Sequence, residues 1–585
     1  MILKSLIKRM LSGAHASPAA PQFSIESGLA EAAALQAAGH WDGAEELLRH
    51  VVTLAPDDAV ARLQLGVLLG RQDKLDEAMS HLSVAVARNR QLPDVHNALG
   101  NIYLLKGDRD SAQRCYDEAL KLNPRSAATY LNLGLLAQCG FDHATALANF
   151  EKARQLEPAT SGLLKNIVLE KVELGQAAEA NAFLQSVRAN PGQEAELEFC
   201  LGYVLLNLQQ PHAAVEHFER ANALTPHDPE ILLQSGIALR ETGKVEQAIA
   251  RFDMALAADP RQVLAKWHKS LACLTLHEYF RGWQDYELRL QSRDRMRRTD
   301  AYPEWVGPHA PKARLLVYGE QGPGDEIMFA GCLPQLIAAV GQCVLECSPK
   351  LVKLFSRSFP LIAVREAARS NAGERFDAQI ALGSLPKYWR TSIADFPDHR
   401  GYLRADAGKT EAWRKRLEGL GRGLKVGISW RGGTDKTRGY MRSIPLQQWG
   451  KILQVPGAHF VDLQYTDCGE EVAAAAAAFG VTVHRWDGLR EDIDETAALV
   501  TGLDIVISVC TTLIHLGGAL GKPVWVLTPY SPEWRYGIRG ETMPWYPSVR
   551  LFRQPRFGVW EPVIHDVAKS LRAQCAAAGR DAASA

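Results

Sequence analysis

The chain has 585 residues, more than a single hydrophobic core usually spans, so two or more domains are expected. Its composition, 47% apolar and 23% charged, is that of a globular protein and excludes a disordered chain; 66 basic residues against 66 acidic ones leave no global field to attract nucleic acid or anionic lipid. Ten cysteines, without zinc-like pairing or the density of a disulfide scaffold, fit a reduced, cytoplasmic protein.

Residues 1–24 begin MILKSLIKRMLSGAHASPAA, where Lys4, Lys8 and Arg9 break the apolar stretch; a flexible segment is expected there, not a signal peptide. No run approaches 18 uninterrupted apolar residues, so no transmembrane segment is expected. From 25 to 276 an alanine returns every 34 residues, at Ala44, Ala78, Ala112, Ala146, Ala180, Ala214 and Ala248. Gly66, Gly100 and Gly134 keep the same period, and Pro56, Pro124, Pro158, Pro226 and Pro260 stand between the helical stretches. This pattern predicts an all-α solenoid of helix-turn-helix repeats, less regular at 160–192 and with a longer linker near Pro191. Such a surface is expected to bind a polypeptide.

Residues 277–311 form an aromatic junction. The stretch HEYFRGWQDYELR continues helical periodicity and is predicted to load Phe280, Trp283 and Tyr286 onto one face, with Glu287 and Arg289 in structural roles. From 312 to 422 the pattern changes to strand, glycine turn and helix in ARLLVYGEQGPGDEIMF. Gly319, Gly322 and Gly324 let the turn approach a ligand, while Asp325 and Glu326 begin the helix where they would repel a pyrophosphate. Asp325 fits either a general base over an acceptor hydroxyl or a helix N-cap.

A second α/β stretch covers 423–575. The strand KVGISW runs into Arg431, Gly432 and Gly433, followed by Lys436, Arg438 and Arg442, which can surround a phosphate or form a solvated basic loop. Gln464 and Tyr465 emerge at the end of another strand. After the strand DIVISV, Thr511 and Thr512 open a helix carrying His515, Gly517 and Gly518, the makings of an anion site. Facing α/β halves would set Asp325 on one wall of a cleft and Thr511, Thr512 and His515 on the other, an arrangement suited to group transfer. No metal-binding motif stands nearby, so Arg431, Lys436 and Arg442 would offset leaving-group charge.

These motifs resemble those of bacterial tetratricopeptide-repeat glycosyltransferases with a heptosyltransferase-like catalytic half. The matching pieces are FRGWQDYELR ending at Arg289, GEQGPGDEIMF at 319–329, VGISWRGG at 426–433, RSIPLQQW at 442–449, DETAALV at 494–500 and SVCTTLIHLGGALGKPVWVLTPYSPEWRYG at 508–537. The resemblance implies a GT-B fold of two Rossmann-like lobes, acceptor side at 312–422 and donor side at 423–575. It implies inverting, metal-independent transfer from a nucleotide sugar to Ser or Thr of a protein, with Asp325 as base and Thr511, Thr512 and His515 on the donor phosphates. Cys510 stands where many relatives carry an aspartate, which points within the resemblance to a CMP-nonulosonic acid donor and flagellin as acceptor. The alternatives are a UDP-GlcNAc-type protein O-glycosyltransferase using a UDP-sugar, a heptosyltransferase-like enzyme acting on glycans, and a non-catalytic protein-binding scaffold.

Overall fold

The structure, a computed structural model, describes residues 24–187, 192–291, 302–308, 313–367, 374–433, 439–486, 488–489 and 491–584. The segment 1–23, Pro191, Lys436 and Arg438 lie outside them. Two compact units emerge, Met1–Gln209 and Gln210–Ala585.

The first unit is all helical. It pairs α1 (Ile25–Ala37) with α2 (Trp41–Leu54), α3 (Ala59–Arg71) with α4 (Leu75–Arg88), α5 (Pro93–Leu105) with α6 (Arg109–Leu122), and α7 (Ala127–Cys139) with α8 (His143–Leu156). The shortened pair α9 (Leu163–Glu173) and α10 (Ala177–Ser186) and the helix α11 (Glu194–Asn207) complete it. The second unit begins with α12 (Pro211–Leu224), α13 (Pro229–Glu241), α14 (Val245–Ala258), α15 (Val263–Thr275) and α16 (Tyr279–Tyr286).

All seven ladder alanines are completely buried. The periodic glycines serve the same contact from the other helix of each pair. A side chain on Gly66, Gly100, Gly134 or Gly236 would come closer than 3.0 Å to Leu82, Tyr116, Phe150 or Phe252, in each case sixteen residues further along. One helix omits a side chain so that the next can insert a large one, and close packing follows.

Turns keep the period as strictly as the core. Residues 39, 73, 107, 141, 175, 209, 243 and 277 all have a left-handed backbone, with φ between 61° and 82°. Gly39, Gly107, Gly175 and Gly243 adopt it without strain, whereas Asp73, Phe141, Gln209 and His277 do not have that freedom. Because the turn at His277 is in register, α15 and α16 form an eighth hairpin. Gly282 replaces the eighth ladder alanine, and an added side chain there would strike Leu274 at 2.5 Å. The junction helix is thus part of the repeat array. Its buried face carries Tyr279, Trp283 and Tyr286, at i, i+4 and i+7; Phe280 lies on the other side and is 65% exposed, a correction to the expected aromatic face.

The rest of the second unit is a mixed α/β region with two sheets. The first contains β1 (Arg314–Tyr318), β2 (Gln342–Cys347), β3 (Ala363–Glu366) and β4 (Ala378–Ala381), all parallel, in the order β3-β2-β1-β4. The second contains β5 (Leu424–Ser429), β6 (Ala458–Asp462), β7 (Val483–His484), β8 (Ile505–Val509), β9 (Val524–Thr528), β10 (Thr542–Met543) and β11 (Tyr546–Arg553), ordered β10-β11-β9-β8-β5-β6-β7. Its strands are parallel except β10, which pairs antiparallel with β11. Order reverses between β5 and β8, leaving a crevice at their carboxyl ends.

The second sheet is buried on both faces. Ile505, Ile507 and Val509 enter one core with Trp430 and Trp449, while Val506, Val524 and Val526 enter another that also takes in the first sheet and Tyr279, Trp283 and Tyr286 of α16. Among the described residues, no helix is long and apolar enough to cross a membrane. Gly134→Ala is expected to lower the unfolding free energy by about 1–3 kcal/mol through overpacking against Phe150; urea titration of the full chain measures it, with Gly579→Ala, open on all sides, as the neutral comparison.

Candidate functional site

The turn after β1 is shaped by Gly319, where the Glu326 carboxyl fills the place a side chain would take. Gly322 then leads into helix α17 (Pro323–Ala330), with Pro323 at its first position, where a missing N–H costs nothing. On the second sheet, Thr511 caps helix α20 (Thr512–Ala519): its hydroxyl accepts from the Leu513 N–H at 3.3 Å and shares a hydrogen with Ser508 Oγ at 3.1 Å. Between them in sequence lie α18 (Ala407–Glu418) and α19 (Ile493–Gly502), joined by the Trp413 Nε1–H bond to Glu495 at 2.8 Å.

Helices α17 and α20 touch. A side chain on Gly324 would stand 3.2 Å from both Thr512 Oγ1 and His515 Cδ2, so this glycine sets the distance between the two sheets. Gly517 makes room for Val524 and Gly518 for Tyr546 on the opposite side of α20. Asp325 and the α20 residues therefore do not face each other across an open cleft at this point. They belong to one packed joint.

Charges in the joint neutralise one another. Arg535, on a short turn at Trp534–Tyr536, donates to Asp325 Oδ1 at 2.5 Å and also pairs with Glu533, which in turn accepts from Arg442 Nη1 at 2.5 Å. Burial opposes the Arg535 charge, yet Asp325 and Glu533 outweigh it and hold the guanidinium firmly protonated. Gly433 admits the Arg442 guanidinium, since a side chain there would lie 2.7 Å from Nε, and Gly432 lies against the Cys510 carbonyl, also 2.7 Å from where its side chain would be. Arg431 bonds the Asp467 carbonyl at 2.7 Å and pairs with Glu471 at 2.8 Å.

His515 is buried, its Nδ1 3.2 Å from Tyr546 Oη, and burial followed by the nearby Arg535 charge pushes its pKa well below the usual value. It is neutral at pH 7. Burial likewise pushes the Cys510 thiol up to about 12. Glu326 accepts from the Ser348 N–H at 2.9 Å, but burial dominates and pushes its carboxyl up to about 7.

Gln464 clamps the carboxyl end of β5. Its Oε1 accepts from Ser429 Oγ and from the Trp430 and Arg431 N–H groups, and its Nε2 donates to the Arg431 carbonyl and Thr466 Oγ1. Beside this clamp, at the crevice where strand order reverses, is a cavity of about 470 Å³. Lys350, Tyr465, Arg485, Trp486, Thr511 and Thr512 are among the side chains around it. Arg485 is anchored to Asp462 at 3.1 Å. Lys350, Arg485, Trp486, Glu533 and Arg535 escaped the sequence reading, although SPEWRYG carries two of them. Among the described residues no cluster of three or more His, Cys, Asp or Glu could hold a metal ion.

Fold and joint together define a tetratricopeptide-repeat protein with an attached α/β region. Residues 12–137 match the tetratricopeptide repeat-like domain family and residues 125–260 the tetratricopeptide repeat family. The chain is 30% identical over 555 residues to Protein FlbA of Caulobacter vibrioides, covering 91% of this chain and 90% of that one, and it belongs to the FlbA family. It is also similar to BBSome complex member BBS4 of Bos taurus, 23% identical over 37% of this chain and 41% of the relative. The peroxisomal targeting signal receptor of Candida albicans is 22% identical over 35% and 36%. The chain thus spans less than half the length of these last two.

These matches correct the glycosyltransferase reading, and with it the assignment as an enzyme of heptosyltransferase-like or flagellin-glycosylating type. The family reached over nine-tenths of the chain is that of FlbA, and the repeat families account for the N-terminal matches. Repeat proteins named as a complex member and a receptor stand where transferases were expected. The comparisons favour a non-catalytic repeat scaffold.

Asp325→Asn is expected to cost about 3–5 kcal/mol, because it strips a buried guanidinium of a charged partner; guanidinium unfolding measures it, and an unchanged midpoint would show that Glu533 suffices. Glu326 gives a pH dependence of defined sign. Its unfolded pKa near 4.5 lies below the folded value of about 7, so the unfolded state ionises first and stability falls as pH rises from 4.5 to 7. The loss is on the order of 3 kcal/mol. Glu326→Gln should flatten this part of the profile, read as the difference in stability between pH 5 and pH 8.

Proposed function

We propose that this protein is a non-catalytic scaffold whose helical repeats hold a polypeptide segment of a partner. The observation that carries the reading is the repeat array itself, with its ladder of completely buried alanines and an eighth hairpin built into the α/β region. Stacked hairpins create extended surfaces that suit polypeptides better than small molecules. The relatives named as a complex member and a receptor support the same role.

The two sheets are read as Rossmann-like lobes in a GT-B-like arrangement, with strand order and the crevice between β5 and β8 as support. In this reading the lobes serve as architecture. Asp325 and the two arginines that a transfer reaction would need are consumed by each other's charges. Ten cysteines without a disulfide support residence in the reducing cytoplasm.

A second reading concerns the 470 Å³ cavity, which we infer takes a nucleotide or nucleotide sugar as a bound, unreacted ligand. Tyr465 and Trp486 offer aromatic surface, Lys350 and Arg485 positive charge, and the capped start of α20 its N–H groups.

Incubated with UDP-GlcNAc or a CMP-nonulosonic acid and a protein acceptor, the full chain is expected to release no nucleotide above the rate in buffer. Sustained release abolished by Asp325→Ala would overturn the scaffold reading. Quenching of tryptophan fluorescence by CMP or UDP, weakened at least about tenfold by Arg485→Ala, is expected for the cavity; calorimetry without heat for either nucleotide counts against it.

A further inference from the structure

We propose that the turn edge of the third to fifth hairpins is a docking surface for a protein segment carrying apolar side chains beside arginine or lysine. The centre of this surface is Phe141. It sits in the left-handed turn between α7 and α8 with φ 61° and a side chain 62% exposed. Neither the backbone nor the solvent favours phenylalanine there: the left-handed region is a genuine outlier for a bulky residue, and the ring gains little from burial. Glycine holds the equivalent turn position in four other hairpins.

Phe141 has apolar company on both sides. Leu105, the last residue of α5, is 63% exposed, and Leu174, which ends α9, is 38% exposed. The three side chains come from the same place in consecutive hairpins, so they form a ridge one repeat apart. Asp108, Asp142 and Glu173 stand exposed along the same edge, giving the ridge an acidic border.

The occupant is argued from the other end of the array, where equivalent turns are already covered. Within the second unit, Tyr530 lies against the turn at Gly243, whose added side chain would meet its ring at 2.9 Å, and Gly537 lies against the turn at His277. Ser531 Oγ donates to the Arg240 carbonyl at 2.9 Å, and Arg539 pairs with Glu246 at 3.0 Å. The covering stretch 530–539 is aromatic and arginine-bearing, and it meets an acidic residue beside the turn. Turn edges of this array therefore bind such segments, and the ridge at Leu105, Phe141 and Leu174 offers the same chemistry with nothing of the first unit's described residues covering it to less than a third exposure. The inference rests on the scaffold reading and names the surface and the chemistry of the partner.

A fluorescein-labelled synthetic peptide of residues 528–540 is the probe, titrated with the full-length chain in fluorescence anisotropy. Saturable binding is expected, weakened about tenfold or more by Phe141→Gly, as for an aromatic anchor in an interface. The same variant should keep or raise the melting temperature, since glycine adopts this backbone freely. Asp108→Lys with Asp142→Lys should weaken binding, and a peptide with both arginines replaced by glutamate should not bind. Affinity unchanged by Phe141→Gly overturns the proposal, as does binding that tracks loss of thermal stability. Self-association of the chain that Phe141→Gly abolishes would make a second copy the occupant and overturns it too. None of these failures produces nucleotide release from a sugar donor, so they remain distinguishable from failure of the scaffold reading.

Discussion

Two arginines and two acids, Arg442, Glu533, Arg535 and Asp325, form a line of alternating charge through the place where the two sheets meet. Buried charges survive only when paired, so each member of this line fixes its neighbour. Asp325 belongs to the first sheet's helix and Arg535 to a turn beyond β9, which makes the line a tether between sheets. Gly324 lets α17 and α20 come close enough for it to close. Much of the surrounding architecture, from the neutral His515 to the glycines beneath Arg442, answers the demand of keeping those charges dry and matched.

The same constraint explains why the motifs read as a transferase. Glycine turns, a helix opening on Thr511 and Thr512, and arginines after a strand are what a phosphate site needs, and they are what an internally compensated joint needs as well. Sequence shows residue types at a spacing; it does not show that the partner of Asp325 lies 210 residues away on Arg535. A carboxylate held by a guanidinium at 2.5 Å, and accepting no proton from any hydroxyl, is equipped for cohesion.

The repeats were far more legible. A 34-residue period in alanine and glycine gave the hairpins, their register and their tight contacts, because each unit meets the same packing problem. Half of the left-handed turns were hidden, since Asp73, Phe141, Gln209 and His277 carry no glycine signature. That concealed the eighth hairpin, and with Gly282 in place of alanine the ladder seemed to stop one rung early. Phe280 was misplaced for a related reason: i, i+3 and i+6 drift off one helical face, while Tyr279, Trp283 and Tyr286 hold it. In the α/β region the strands and glycine turns were readable, but Gln464 was not recognisable as a clamp, because an amide after a strand says nothing about which five groups it will bond.

An array of hairpins ordinarily ends on an apolar face that needs a polar cap. Here the last hairpin gives that face to the α/β region, with Trp283 edge-on to Trp534 at 5.5 Å and Tyr286 near Phe329 at 6.4 Å. One end of the series is anchored in a globular body, and the other is assembled from interchangeable modules. Gain or loss of whole 34-residue modules toward the N-terminus would then change how much of a partner is read without disturbing the anchor, so the length of the reading frame and the integrity of the joint are free to evolve separately.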